Sequence, residues 1–343
     1  MNSKSYNKAY VLFSGGLDSY ICAHMMKRYG FDVELITFKS IFFLRNLETG
    51  KSVIDVGEYK LNRIVIDVTD EYFDVLENPK YGYGKNINPC IDCKIFFLKK
   101  AKKLMEDNDV NVIATGEVLG QRPKSQRSGP LKNIKTDSGL EKHLVRPLCI
   151  SSLTKSFLED IGIIHRERFE EMMQVHGRSR KNQMEYANKY KITGFSSPSG
   201  GCLLTHKEYC RKLRPILNCG IRDKMILSLL KIGRHFLLSD DPYKTVISGR
   251  NEKENDIIEN FKDKQIILRM NMDDIPGPLT LVYGERLDEN DLEKACLIHT
   301  YYSDFKNNNS RAKLIDISSG KEYNILYNED DAVSLIESMR SKH

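Results

Sequence analysis

The sequence predicts an α/β fold, a parallel sheet wrapped by helices, followed by a smaller C-terminal α/β or α+β domain. Three observations carry this. Short apolar runs alternate with helical patterns through the first 120 residues, as parallel sheets require. A glycine-rich turn joins the first run to the first helical stretch. After about residue 207 the character changes to short strand-like runs alternating with acidic helices.

Ala9–Phe13 (AYVLF) reads as a buried parallel strand, followed by Ser14–Ser19 (SGGLDS) and a helix over Tyr20–Tyr29. Val33–Phe38, Ile64–Val68 and Val110–Thr115 read as three more strands. Ile91–Asp107 has helical spacing, with Ile95, Leu98, Ala101, Leu104 and Met105 on one face and lysines opposite. Residues 121–142 are polar, basic and rich in turn formers, which predicts a long loop. Helical patterns dominate 151–191, and Phe195–Gly201 is a loop ending at Cys202. Beyond it, His235–Leu238, Thr245–Ile247, Gln265–Leu268, Leu279–Val282, Lys313–Ile317 and Tyr323–Leu326 are the expected strands.

Composition excludes several classes. The 343 residues include 40% apolar side chains and well-mixed charge, unlike a disordered chain. No apolar run approaches a membrane span, and glycines interrupt the N-terminal apolar run before a signal core can form. Eight cysteines are too sparse for a disulfide scaffold, and a cytoplasmic enzyme or binding protein, with no membrane partner, is expected. The net charge of +6 is uneven. Residues 1–120 are neutral, 121–235 carry +13, and 236–343 carry −7. A basic middle suggests a polyanion partner, against the plainer alternative of a solvated basic surface.

In SGGLDS, Gly15 and Gly16 permit a tight turn and close approach to a ligand. The helix that follows directs free N–H groups at an anion, and Ser14 and Ser19 add hydroxyls. Asp18 suits phosphate only with a cation such as Mg²⁺ between them. Neither GxxxxGK[ST] nor GxGxxG is present. The loop resembles, at every position, the SGGxDS loop of the PP-loop ATP pyrophosphatases, with their adenine nucleotide alpha hydrolase-like sheet. The resemblance implies ATP on Ser14, Gly15, Gly16, Asp18 and Ser19, adenylation of a substrate oxygen, and release of pyrophosphate.

Asn88-Pro89-Cys90-Ile91-Asp92-Cys93-Lys94 places CxxC at a helix start, where a thiolate is favoured. By itself this is a redox pair, half a zinc site or half an iron–sulfur site. Cys202, in Pro198-Ser199-Gly200-Gly201-Cys202, is the natural third member. Cys22, Cys149, Cys210, Cys219 and Cys296 have no such setting and read as structural. NPCxxCK followed by ATGEVLGQR resembles the tRNA thiouridylase branch of the family over roughly residues 8–205. That resemblance implies Cys93 and Cys202 as nucleophile and persulfide carrier, or Cys90, Cys93 and Cys202 as ligands of a [4Fe-4S] cluster. The presence of all three cysteines favours the cluster. The resemblance also places Gly116 of Thr115-Gly116-Glu117 against the nucleotide, with Glu117 a weaker contact.

Arg122, Lys124 and Arg127 suit phosphate of ATP, pyrophosphate or RNA, and Arg146, Arg178 and Arg180 extend the same basic region. Ile232-Gly233-Arg234-His235-Phe236 and Ser248-Gly249-Arg250-Asn251 resemble an NFACT-type RNA-binding module, which implies RNA contact by Arg234, His235 and Arg250. The expected organisation is a PP-loop domain at 1–150, a helical extension at 151–206 supplying the third cysteine, and the RNA-binding-like module at 207–343. The expected activity is ATP-dependent replacement of oxygen by sulfur in a tRNA base, a uridine above others. The expected partners are tRNA and a sulfur donor, either sulfide or a carrier protein. A homodimer also fits, as related enzymes are often dimers. The alternatives are a PP-loop enzyme acting on a small molecule and a non-catalytic RNA-binding protein.

Overall fold

The computed structural model describes residues 7–44, 47–196, 201–272 and 275–341. They divide into two units, Met1–Thr205 and His206–His343. The first is built on β1 (Lys8–Leu12), α1 (Leu17–Tyr29), β2 (Asp32–Lys39), β3 (Gly50–Val56) and β4 (Tyr59–Asp67). It continues with α2 (Thr69–Glu77), α3 (Cys90–Asp107), β5 (Val112–Thr115), α4 (Ser128–Asp137) and β6 (Leu144–Val145). It ends with α5 (Phe157–Asp160), α6 (Arg166–Met172) and α7 (Lys181–Lys189).

Strand order is β3-β4-β2-β1-β5-β6. All pairings are parallel except β3 with β4. The sheet is therefore mixed. The β3–β4 hairpin lies upstream of, and lengthens, the strand expected at Ile64–Val68, and β3 itself was not expected. Its burial alternates, so it lacks the continuous apolar run of the central strands.

Side chains along the central strands point alternately to two cores, as strand geometry dictates. Ala9, Val11, Val33, Leu35, Val112 and Ala114 face a core shared with α1, α6 and α7. Tyr10, Ile36 and Ile113 face the other, filled by Ile91, Ile95, Leu98, Ala101 and Met105 of α3. The helical face read from the sequence is thus the buried face, with Leu104 only partly covered.

The loop expected at 121–142 is corrected. Ser128–Asp137 is a helix whose Leu131 and Ile134, three apart, are buried. Two apolar positions are too few to show a period, and Gly129 and Pro130 lie in the first turn, where they do not break the helix.

The second unit contains α8 (Lys207–Asn218), α9 (Lys224–Leu229), β7 (Arg234–Asp240), β8 (Tyr243–Ser248), α10 (Glu252–Glu259) and β9 (Ile266–Met270). It closes with β10 (Thr280–Gly284), α11 (Glu289–Tyr301), β11 (Ser310–Asp316), β12 (Glu322–Tyr327) and α12 (Glu329–Ser341). Its strands form an antiparallel sheet, β12-β11-β9-β10-β8-β7. All six expected strands are present. Among the described residues no helix is long and apolar enough to cross a membrane.

Phe169 of α6 is fully buried and stacks on Tyr29 of α1 at 4.7 Å. Phe169→Ala should cost about 3–5 kcal/mol. Urea unfolding of the first unit should show this as a lower midpoint with an unchanged slope.

Candidate active site

The strand order places β1 between β2 and β5, which leave it in opposite directions. That switch point opens a crevice beyond the carboxyl ends of the strands. Ser14–Ser19 enters it after β1, and Gly116–Glu117 after β5. A cleft of about 540 Å³ results, lined by Ser14, Gly16, Asp18, Ser19 and Gly116 on one side and by Cys90, Cys93 and Cys202 on another.

Gly15 has φ +69°, a conformation that favours glycine. Gly16 caps α1, its carbonyl accepts from the Ser19 and Tyr20 amides at 3.0 and 3.2 Å, and the Leu17 and Asp18 amides precede the first intrahelical bond. Ser19 turns its hydroxyl back to the Gly16 carbonyl at 2.7 Å, so in this conformation it braces the loop. A Cβ on Gly116 would overlap the Asp18 carbonyl and the Ser19 amide. Gly116 is thus required for the close packing of β5 against α1, whatever it does for a nucleotide. Gln183 of α7 is fully buried and donates to the Asp18 carboxylate at 3.4 Å.

The three cysteines come from two distant segments. Cys90 and Cys93 start α3. Cys202 lies between two residues hydrogen-bonded to the segment after β2, and Ser196, earlier in the chain, is bonded to the phosphate loop. Ser196 gives both its amide and its hydroxyl to the Gly15 carbonyl, at 3.0 and 3.2 Å. Further on, the Leu44 amide donates to Gly201 at 2.8 Å and the Leu203 amide to Phe42 at 3.0 Å. Pro198, Ser199 and Gly200 of the PSGGC motif lie outside the described residues.

Asn88 is 7% exposed and joins the two segments: its amide donates to Cys202 Sγ at 3.4 Å and its carbonyl accepts from Cys90 Sγ at 2.9 Å. The buried Tyr72 hydroxyl bonds Cys93. The thiolate preference expected from the helix start does not hold for Cys93. Burial pushes its thiol well up, the Tyr72 bond opposes this, and the charges of Cys202 and Cys90 add to it. Beneath the cysteines lies an aromatic floor, with Phe43 against Tyr72 at 5.5 Å and Phe97 at 5.9 Å, and Phe38 stacked on Phe97 at 5.2 Å. Among the described residues, no three His, Cys, Asp or Glu side chains stand as they would around a single metal ion. Cys22, Cys149, Cys210 and Cys296 are buried.

Glu117 is committed elsewhere than to a nucleotide. Its carboxylate pairs with Lys94 Nζ at 2.6 Å and Arg146 Nε at 2.7 Å, and accepts from Thr115 at 3.1 Å. Burial would raise it, but Lys94 and Arg146 together hold it down to about 2. Arg146 is only 5% exposed, so it leaves the basic surface to which its charge seemed to assign it. Lys124 is half-buried and donates to the Gly82 carbonyl at 3.0 Å. Arg122, Arg127 and Arg178 are exposed and Arg180 is half-buried, and of these Arg122 and Arg180 line the cleft.

In the second unit the two Gly-Arg segments clasp each other. Arg234 donates to the Gly249 carbonyl at 2.9 Å, and Arg250 to that of Gly233 at 2.8 Å. Glu254 accepts both the Gly233 and Arg250 amides. Arg234 also stacks over Tyr302, 4.5 Å from the ring centre. His235, expected at RNA, turns Nε2 to the carbonyls of Leu229 and Ile232. Burial, with Lys212 nearby, pushes its ring down to about 3.

Asn88 could have been read from the NPCxxCK motif. Tyr72, Gln183 and the Phe43–Phe97 pair carry no local signal, because only the fold brings them to the cleft.

Residues 4–161 match the family described as Thiamine biosynthesis protein (ThiI), and residues 233–329 match the NFACT protein RNA binding domain. The chain thus carries a ThiI domain, with its PP-loop, followed by an NFACT RNA-binding domain. A protein named Probable tRNA sulfurtransferase from Methanocaldococcus jannaschii is 32% identical over 146 residues, 42% of this chain and 37% of that protein. tRNA-specific 2-thiouridylase MnmA 1 from Fusobacterium nucleatum subsp. nucleatum is 30% identical over 113 residues, 31% of this chain and 29% of that one. The chain spans about a third of the length of the curated relatives it matches. A solved 4-thiouridine synthetase–RNA complex with bound ATP is 20% identical and covers 66% of this chain and 52% of its own, with a TM-score of 0.33, too low to carry an argument.

Glu117→Gln should cost about 3–5 kcal/mol, because it leaves two buried cations underpaired. Since the folded carboxyl titrates below its unfolded value, its contribution is complete above about pH 4.3 and is lost as pH falls through about 2. Urea midpoints measured against pH should show a shallower acid limb in the variant.

Proposed function

We propose that this chain is an ATP-dependent tRNA sulfurtransferase that replaces a carbonyl oxygen of a tRNA base, a uridine first among them, with sulfur. The observation that carries this is the union, in one cleft, of the SGGLDS loop with Cys90, Cys93 and Cys202. The names of the matched relatives point to the same acceptor and atom.

The amides of the α1 first turn and the Ser14 hydroxyl receive the ATP phosphates. Asp18, held by Gln183, would hold Mg²⁺, which would supply charge to offset the phosphates. The base oxygen attacks the α-phosphorus as the base loses its ring N–H proton. The bond from that phosphorus to the bridging oxygen breaks, and pyrophosphate leaves. The step is needed because a carbonyl oxygen is a poor leaving group and AMP a good one. A sulfur nucleophile arriving at the cysteine wall then attacks the activated carbon and AMP departs.

The cysteine wall fits an iron–sulfur cluster better than a single ion. Its donors are all thiols, Asn88 and Tyr72 orient them, and a cubane spreads its ligands over several irons. Cys90, Cys93 and Cys202 would hold a [4Fe-4S] cluster, which when bound supplies a carrier for sulfide. The residues from 151 to 205 belong to this catalytic unit by delivering Cys202. Exposed Arg127 and Arg178 grip tRNA phosphates, and the NFACT domain adds RNA affinity through the outward N–H groups of Arg234 and Arg250.

Mass spectrometry of tRNA nucleosides from cells lacking the protein should show one thiolated base missing; an unchanged profile overturns the tRNA reading. In vitro, Asp18→Ala should abolish pyrophosphate release. Cys202→Ala should retain pyrophosphate release and lose sulfur transfer. Anaerobically purified protein should be brown, and Cys90→Ala colourless. A colourless wild type that still transfers sulfur would move the chemistry to a persulfide on Cys202 or Cys93.

A further inference from the structure

The SGGLDS loop contains no cation, and its only charged side chain is Asp18. A triphosphate bound there would meet helix amides and, apart from any Mg²⁺ on Asp18, no positive group, so any protein cation has to come from other walls of the cleft. The charged residues lining those walls are Lys39, Lys94, Glu117, Arg122 and Arg180. Lys94 is consumed by Glu117 at 2.6 Å. Lys39 faces Asp67 at 3.6 Å and donates to the Leu47 carbonyl at 2.9 Å. Arg122 and Arg180 have no side-chain hydrogen bond or ion pair among the described residues.

The segments that carry these two arginines are tied to each other. The Gly177 amide donates to the Leu119 carbonyl at 2.8 Å, tying the segment before α7 to the segment after β5. Gly120, at φ +84°, is so close to Gly177 that a Cβ would press on its Cα at 3.2 Å. The Gly120 amide bonds the Gln126 carbonyl at 2.7 Å, closing a loop that presents Arg122. Arg180 caps α7 one turn before Gln183, the residue that contacts Asp18. Both guanidiniums therefore belong to one braced rim next to the phosphate loop.

We propose that Arg122 and Arg180 form a clamp for the β- and γ-phosphates of ATP, and so for the departing pyrophosphate, and are not tRNA contacts. The proposal rests on the ATP-dependent reading above. Two forked donors suit a pyrophosphate, whose charge rises as the bond to the α-phosphorus breaks and its electron pair moves to the leaving oxygen. The arrangement divides the basic region by function: rim arginines for the nucleotide, and outward ones such as Arg178 for RNA.

The test uses the full chain with Mg-ATP, inorganic pyrophosphate and unmodified tRNA. Arg122→Ala and Arg180→Ala should each weaken ATP and pyrophosphate binding by about tenfold or more, with partial recovery in Arg122→Lys and Arg180→Lys. Their tRNA Kd and its salt slope should stay within about twofold of wild type, whereas Arg178→Ala should weaken tRNA binding and lower the slope. Unchanged ATP and pyrophosphate binding with weakened tRNA binding overturns the clamp, as does equal loss of both in variants with wild-type thermal unfolding. A wild-type protein that binds neither ATP nor pyrophosphate defeats the ATP-dependent reading itself.

Discussion

The site depends on the backbone hydrogen bonds that hold Gly201 and Leu203, on either side of Cys202, against the segment after β2. Without them, Cys202 is a lone thiol far along the chain. With them, the Gly201 carbonyl and the Leu203 amide are bonded to Leu44 and Phe42, and Cys202 is fixed beside the segment after β2. Each such bond is worth only about 0.5–1.5 kcal/mol net. Their value is positional, because they bring Cys202 Sγ to Asn88, which lies 114 residues earlier and already holds Cys90. Ser196, earlier in the chain, is bonded separately to the Gly15 carbonyl of the phosphate loop.

Electrostatics divide the basic residues into three groups. Arg146 and Lys94 neutralise Glu117 inside the first unit, where an unpaired charge would cost several kcal/mol. Arg234 and Arg250 lock two turns of the second unit by reciprocal bonds to glycine carbonyls. Arg122, Arg127, Arg178 and Arg180 make no side-chain hydrogen bond or ion pair among the described residues. The +13 of residues 121–235 therefore overstates the charge offered to a polyanion.

Much of the frame was legible because its cause is local. The run AYVLF is apolar on both faces, which only a strand covered by helices tolerates. Ile91, Ile95, Leu98, Ala101 and Met105 repeat at helical spacing, and all five are buried. The signal failed where burial is one-sided or short. β3 carries an exposed Val53 between half-buried neighbours, and α4 has two buried apolar residues among glycine, proline and lysines.

The sequence by itself determined the nucleotide loop, the three cysteines that matter and the strand order of events along the chain, since glycine freedom, thiol chemistry and side-chain period are properties of the residues themselves. The tertiary structure decided which charges are spent and which are free. Arg146 and Arg122 look alike in sequence, yet one is sealed against Glu117 and the other lines the cleft. Coulomb pairing acts through space over a few ångströms, and that neighbourhood exists only after segments 23 and 29 residues from Glu117 have met it.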